Sequence, residues 1–138
     1  MNESTQLHYS LLSETRRLLK QYGLRAKKGL GQHFLINSGI LKHIIEAAEL
    51  SSSDIVLEVG PGLGVLTREL VKSAGWVIAV ELDSHMAEIL KNLFADLPNL
   101  SIINRDILEI DPFDLINGEK ARFPAELQSK QEYKVVAN

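Results

Sequence analysis

The chain has no cysteine, which excludes a disulfide framework, a thiolate zinc site and a cysteine nucleophile. Long apolar runs are missing too. Nothing approaches the roughly 20 residues that cross a bilayer, and the opening MNESTQLHYS has neither the basic start nor the apolar stretch of a secretory signal. No membrane partner is therefore expected, no metal site is read, and a cytoplasmic location follows by default. What remains is an ordinary globular balance: 45% hydrophobic and 24% charged residues in 138, enough for about one modest domain and unlike disordered or collagen-like chains.

Charge is unevenly placed. Residues 1–33 carry six Lys/Arg against two acids, whereas residues 34–138 carry nine against sixteen, although the net charge is only −3. All six basic residues of the leader, Arg16, Arg17, Lys20, Arg25, Lys27 and Lys28, lie in RRLLKQYGLRAKK with Tyr22 among them. A basic leader on an acidic body suits a polyanionic partner. It equally suits the solvated face of an amphipathic helix whose apolar side is Leu11, Leu12, Leu18 and Leu19.

Past the leader, Ile40, Leu41, Ile44, Ile45 and Ala48 recur at helical spacing behind a cap at Asn37 or Ser38, predicting a helix over residues 38–50. IVLEV then reads as a strand buried on both faces, with Glu58 its one charged residue. A short helix over residues 65–73, a second strand in WVIAVEL, a helix in SHMAEILKNLF behind Asp83 or Ser84, and a third strand in NLSIINRD follow. Asp111 and Pro112 open another helical turn. Residues 117–132 read as the one linker-like stretch, and YKVVAN as a fourth strand. Trp76 and the Ile40–Ile45 stripe are read as core, and His8, His43 and His85 as surface or core residues. Strands alternating with helices predict a doubly wound, mostly parallel α/β sheet of the Rossmann-like kind.

In such sheets the ligand lies outside the carboxyl ends of the strands, beside the first strand and its glycine-rich turn. Gly60, Gly62 and Gly64 stand there, with Pro61 between them. Glycine accepts positive φ and lacks a Cβ, so the turn can bend sharply and admit a ligand to bare main chain. Glu81, 21 residues after Gly60 at the tip of the second strand, stands where a carboxylate accepts from both hydroxyls of a ribose. Asp106 closes the third strand, where a carboxylate can take the amine of an adenine. The dinucleotide fingerprint wants its third glycine at position 65, which is Val65 here, so NAD is disfavoured. Glu58 is expected to add negative charge beside the turn, against a pyrophosphate and in favour of a ligand with an amino-acid tail. S-adenosylmethionine fits that description.

The sequence resembles the ribosomal RNA adenine dimethyltransferases, which methylate two neighbouring adenines near the end of small-subunit ribosomal RNA. The resemblance is carried by LGQHFLIN at 30–37, VLEVGPGLGVLT at 56–67, VIAVELD at 77–83, RDILEID at 105–111 and VVAN at 135–138. It implies an S-adenosylmethionine-dependent methyltransferase fold, with residues 1–29 a basic amino-terminal arm or helix and residues 30–138 the first part of the catalytic domain. It implies cofactor contacts at His33, Leu35, Gly60, Glu81, Asp106 and Asn138. His33 stands where Asn is commoner in the family; a neutral imidazole still offers one donor and one acceptor.

The family's catalytic segment is N-L-P-Y/F at the end of strand four. Its Asn oxygen and a backbone carbonyl accept the adenine amine hydrogens, and its aromatic ring stacks on the flipped base. Positioning and electrostatics then carry the reaction, without a general base of shifted pKa. The resemblance thus makes Asn138 catalytic as well as cofactor-binding. Because the sequence stops there, the chain is expected to be an amino-terminal fragment, inactive alone and prone to self-association along its fourth strand, of a monomeric enzyme acting on small-subunit ribosomal RNA or its precursor particle. The rivals are a non-catalytic nucleotide- or RNA-binding half-domain and, further off, an NAD-dependent oxidoreductase; the latter also lacks a Tyr-x-x-x-Lys pair.

Overall fold

The computed structural model describes residues 13–24 and 37–138. A first helix, α1, covers residues 13–21. The elements that follow are α2 (Ser38–Ala48), β1 (Ile55–Val59), α3 (Val65–Ser73), β2 (Trp76–Glu81), α4 (Ser84–Leu93), β3 (Leu100–Asn104), a 3-10 turn (Ile107–Glu109), α5 (Pro112–Glu119), a second 3-10 turn (Lys120–Arg122), α6 (Ala125–Gln128) and β4 (Lys134–Ala137). Three of the helices, α2, α4 and α5, begin where short polar side chains take their free N–H groups. The Asn37 side chain accepts from the Ile40 amide, Asp83 from His85 and Met86, and Asp111 from Phe113 and Asp114, with Pro112 in the first turn.

The four strands form one parallel sheet in the order β3-β2-β1-β4. β1 and β2 are its centre, which is why their sequences are apolar almost throughout. Alternation along each strand divides the core in two. One side packs Val56, Val77 and Ala79 against Leu41, Leu66, Leu70, Leu90 and Phe94 of α2, α3 and the α4 end. The other packs Ile55, Leu57, Trp76 and Ile78 against Ile116, Phe123 and Leu127.

That second layer corrects the linker reading of residues 117–132. α5 runs on to Glu119, and Phe123 and Leu127 are buried. The Phe123 ring lies 5.1 Å from that of Trp76. The Trp76 indole N–H donates to Ser101 Oγ at 3.0 Å, and Ser101 donates to Glu119 Oε2 at 2.8 Å. Two apolar anchors in a polar stretch cover this sheet face, too few to show as a periodicity.

The described part of the leader, residues 13–24, is docked on the domain. Leu18 is buried, and Leu19, Tyr22 and Leu24 join it against Leu63, Met86, Ile89 and Leu93. Arg68 of α3 donates to Glu14 at 2.8 Å. Arg16, Arg17 and Lys20 face outward, as the amphipathic reading has it; Arg25, Lys27 and Lys28 lie outside the described residues. At the other end of the chain, the Lys134 ammonium donates to the carbonyls of Ala48 and Glu49, both at 2.9 Å, and to Asp54 at 3.2 Å, which fixes β4 to the end of α2. No helix among the described residues is long and apolar enough to cross a membrane.

Candidate nucleotide site at the sheet edge

The strand order decides which residues meet. β1, β2 and β3 step outward in one direction and β4 lies on the opposite side of β1, so the winding reverses between β1 and β4. Ligands of doubly wound sheets sit in the crevice at that reversal, outside the carboxyl ends of the strands. Along this edge stand, in spatial order, Asp106 beyond β3, Glu81 at the tip of β2, Gly60 after β1 and Asn138 after β4. Asn138 is exposed and follows Ala137, the register partner of Val59, just as Gly60 follows Val59. His33 and Leu35 lie outside the described residues.

All three turn glycines have left-handed φ, at +68° for Gly60, +58° for Gly62 and +79° for Gly64, a region that L side chains rarely enter. Their surroundings divide the labour. A Cβ on Gly64 would stand 2.3 Å from Phe94 Cε2, so this glycine lets the end of α4 close on the turn. A Cβ on Gly60 would meet nothing within 4 Å, so there the bare backbone faces open space. The Gly60 N–H donates to the Val80 carbonyl at 3.0 Å and ties the turn to β2.

Glu81 is buried at the strand tip, and its carboxylate accepts from the Asp83 N–H at 3.1 Å. Burial holds its pKa above the ordinary carboxylate value, with the Asp83 charge adding to the rise and the N–H donors opposing it. Asp106 is half-buried, and one of its oxygens accepts from the Leu108 N–H at 2.9 Å, which fixes its orientation at the start of the 3-10 turn.

Two residues at this edge escape sequence reasoning. Asn104, the last residue of β3, donates its amide to the carbonyls of Glu81 and Leu82. Glu58 does not carry the charge expected of it. It is 1% exposed, and its Oε2 lies 2.5 Å from the Thr67 hydroxyl. Burial pushes its pKa up to about 8, with the Glu81 charge also raising it and the Thr67 bond lowering it, so at neutral pH it is a neutral acid. An acid inside a strand buried on both faces was the available signal. With that charge gone, the sequence argument against a pyrophosphate rests on Val65, which opens α3 where the dinucleotide pattern needs glycine.

Comparison with known proteins agrees with this architecture. The chain is 51% identical over 107 residues to the ribosomal RNA small subunit methyltransferase A of Dehalococcoides mccartyi, covering 78% of this chain and 37% of that protein. It is 44% identical over 117 residues to the protein of the same name from Natranaerobius thermophilus, covering 85% and 39%. The crystal structure of a dimethyladenosine transferase from Plasmodium falciparum superposes with a TM-score of 0.57 at 36% identity, over 77% of this chain and 33% of that one. The chain thus spans less than two fifths of the length of each of these proteins. The sequence profile of the ribosomal RNA adenine dimethylases matches residues 23–138. On that match, and on a parallel sheet that gathers its glycine turn and acids at one edge, the chain belongs to the ribosomal RNA adenine dimethylase family.

Proposed function

We propose that this chain is the cofactor-holding part of a cytoplasmic, S-adenosylmethionine-dependent enzyme that dimethylates the N6 amines of two adjacent adenines in small-subunit ribosomal RNA, within the precursor particle. The observation that carries the reading is the row Asp106, Glu81, Gly60 and Asn138 along one sheet edge. These residues fit the cofactor by chemistry. A ribose offers two hydroxyl donors and Glu81 is an acceptor; the adenine of the cofactor offers an amine and Asp106 is an acceptor; the open space at Gly60 admits a ligand against main chain. His33 and Leu35 complete the set by family resemblance.

When bound, the cofactor supplies an electrophilic methyl group on a sulfonium. The adenine amine would take that methyl group and give up its proton to water, leaving the cofactor as a neutral thioether. Asn138 accepts an amine hydrogen in this reading and so localises the nitrogen lone pair. The protein's contribution is geometry and fixed dipoles. The exposed face of α1, with Arg16, Arg17 and Lys20, is the proposed contact for RNA phosphates.

The experiment is transfer of labelled methyl groups to unmethylated small-subunit ribosomal RNA. The 138 residues joined to the remaining length of a relative should yield N6,N6-dimethyladenine at two neighbouring positions, and the 138 residues alone negligible label. Absence of label with the joined protein would sink the substrate assignment. Full activity of the 138 residues alone would place the base-gripping groups inside them.

A further inference from the structure

Glu58 is the buried titratable group that the methyl-transfer reading leaves without work. Its position is specific. It stands two residues before Gly60, and its partner Thr67 stands three residues after Gly64, so their 2.5 Å contact joins the two ends of the glycine-rich turn. Both side chains are closed to water, at 1% and 0% exposure. Within that clasp the turn is held at one further point, by the Gly60 N–H on the Val80 carbonyl at 3.0 Å. Glu58 therefore braces from behind the same loop whose front would meet the ligand.

Among the described residues the surroundings offer no counter-charge. β2 places Ala79 opposite Glu58 and Glu81 further along the same face; β4 places Val136 opposite; α3 presents Thr67 and directs Arg68 away, to Glu14 and over the Phe94 ring. The charged group that bears on Glu58 is thus another acid, Glu81. An isolated carboxylate in such a site needs water or a cation, and either enters only if the packing around the turn opens.

We propose that Glu58 is a positioning residue for the nucleotide turn: bonded to Thr67 it clasps the two ends of the loop, and a negative charge on it opens the loop and lowers cofactor affinity. The inference rests on the reading of this edge as the S-adenosylmethionine site. It makes cofactor binding fall on the alkaline side, a response that Glu81, whose carboxylate would accept from the ribose, does not produce: its ionised form is the better acceptor.

The test uses the full 138-residue chain and S-adenosylhomocysteine, with calorimetric titrations between pH 6.5 and pH 9.5 and, in parallel, carbon-13 NMR of the glutamate carboxyls. The wild type should show one glutamate titrating near pH 8, absent from Glu58→Gln. Its affinity should drop about tenfold across the range, while Glu58→Gln, which cannot ionise, shows a drop no larger than the ligand's own titration imposes. Thr67→Val is the second variant, useful should Glu58→Gln not fold. It removes the bond that favours the charged form, so it should weaken binding several-fold at pH 6.5 and move the alkaline drop to higher pH, whereas Thr67→Ser restores both. Equal pH dependence in wild type and Glu58→Gln, or no glutamate titrating above pH 7, overturns the inference alone. No binding at any pH, with Glu58 still titrating near 8, overturns the cofactor reading and the inference with it.

Discussion

Asn104 donates its side-chain amide to two consecutive carbonyls at the end of the neighbouring strand, that of Glu81 at 2.9 Å and that of Leu82, just past β2, at 3.2 Å. The tip of β2, which carries the proposed ribose acceptor, is therefore held from β3 as well as by the Asp83 amide that meets its carboxylate. Asn104→Asp keeps the shape, removes the donor and sets a charge against both carbonyls. S-adenosylhomocysteine affinity should fall by about 1–2 kcal/mol, roughly one neutral hydrogen bond each. Calorimetry on this variant and on the double variant with Glu81→Ala decides it, since the losses should not add if Asn104 acts through Glu81.

The glycines of the turn should separate in the same assays. Gly64→Ala combines a left-handed φ with a Cβ that clashes with the Cε2 edge of the Phe94 ring, and should destabilise the fold by more than about 2 kcal/mol. Gly60→Ala carries only the backbone strain, about 1–2 kcal/mol, because its Cβ enters open space. Its larger effect should be on cofactor affinity. Urea unfolding of each variant beside a binding isotherm distinguishes the two.

Stability should also depend on pH in a direction set by Glu58. Its pKa is about 8 in the folded protein against an ordinary 4.5, so folding binds a proton that the unfolded chain has already released. The stability tied to this group is fully present below pH 4.5 and is lost as pH rises through about 8; the raised Glu81 acts in the same sense. Asp54, lowered by the Ser51 N–H and by Lys134 despite its burial, acts oppositely, its contribution fading as pH falls through its depressed value. Urea midpoints should therefore decline from pH 6 to pH 8.5 in the wild type, and Glu58→Gln should remove most of that decline.

The basic face of α1 makes a claim about salt. If Arg16 and Lys20 meet RNA phosphates, changing both to Gln should reduce the slope of log affinity against log salt by about 0.7 for each lost single-strand contact. Filter binding at several salt concentrations measures it. An unchanged slope assigns these side chains to a solvated helix face.

Much of this edge could be read before the structure. The spacing of Gly60, Gly62 and Gly64 after an apolar strand identifies the turn, and the places of Glu81 and Asp106 follow from strand ends, because a parallel sheet aligns those ends by register. Contacts between distant residues could not be read the same way. Leu18 meets Leu63 and Met86 only through tertiary docking, and Phe123 and Leu127 are too few to stand out in their polar stretch. Glu58 departs from expectation for a different reason: its charge state depends on burial and on Thr67, nine residues away, whereas its place beside the turn suggests an ionised carboxylate.

Calorimetric titration of the chain with S-adenosylhomocysteine and with NAD, repeated on Glu81→Ala, tests the central claim most directly. S-adenosylhomocysteine should bind and NAD should not. Glu81→Ala should weaken the binding by about 1–3 kcal/mol, because it removes charge-assisted bonds to two ribose hydroxyls. Binding of NAD, or S-adenosylhomocysteine affinity untouched by Glu81→Ala, would contradict the account.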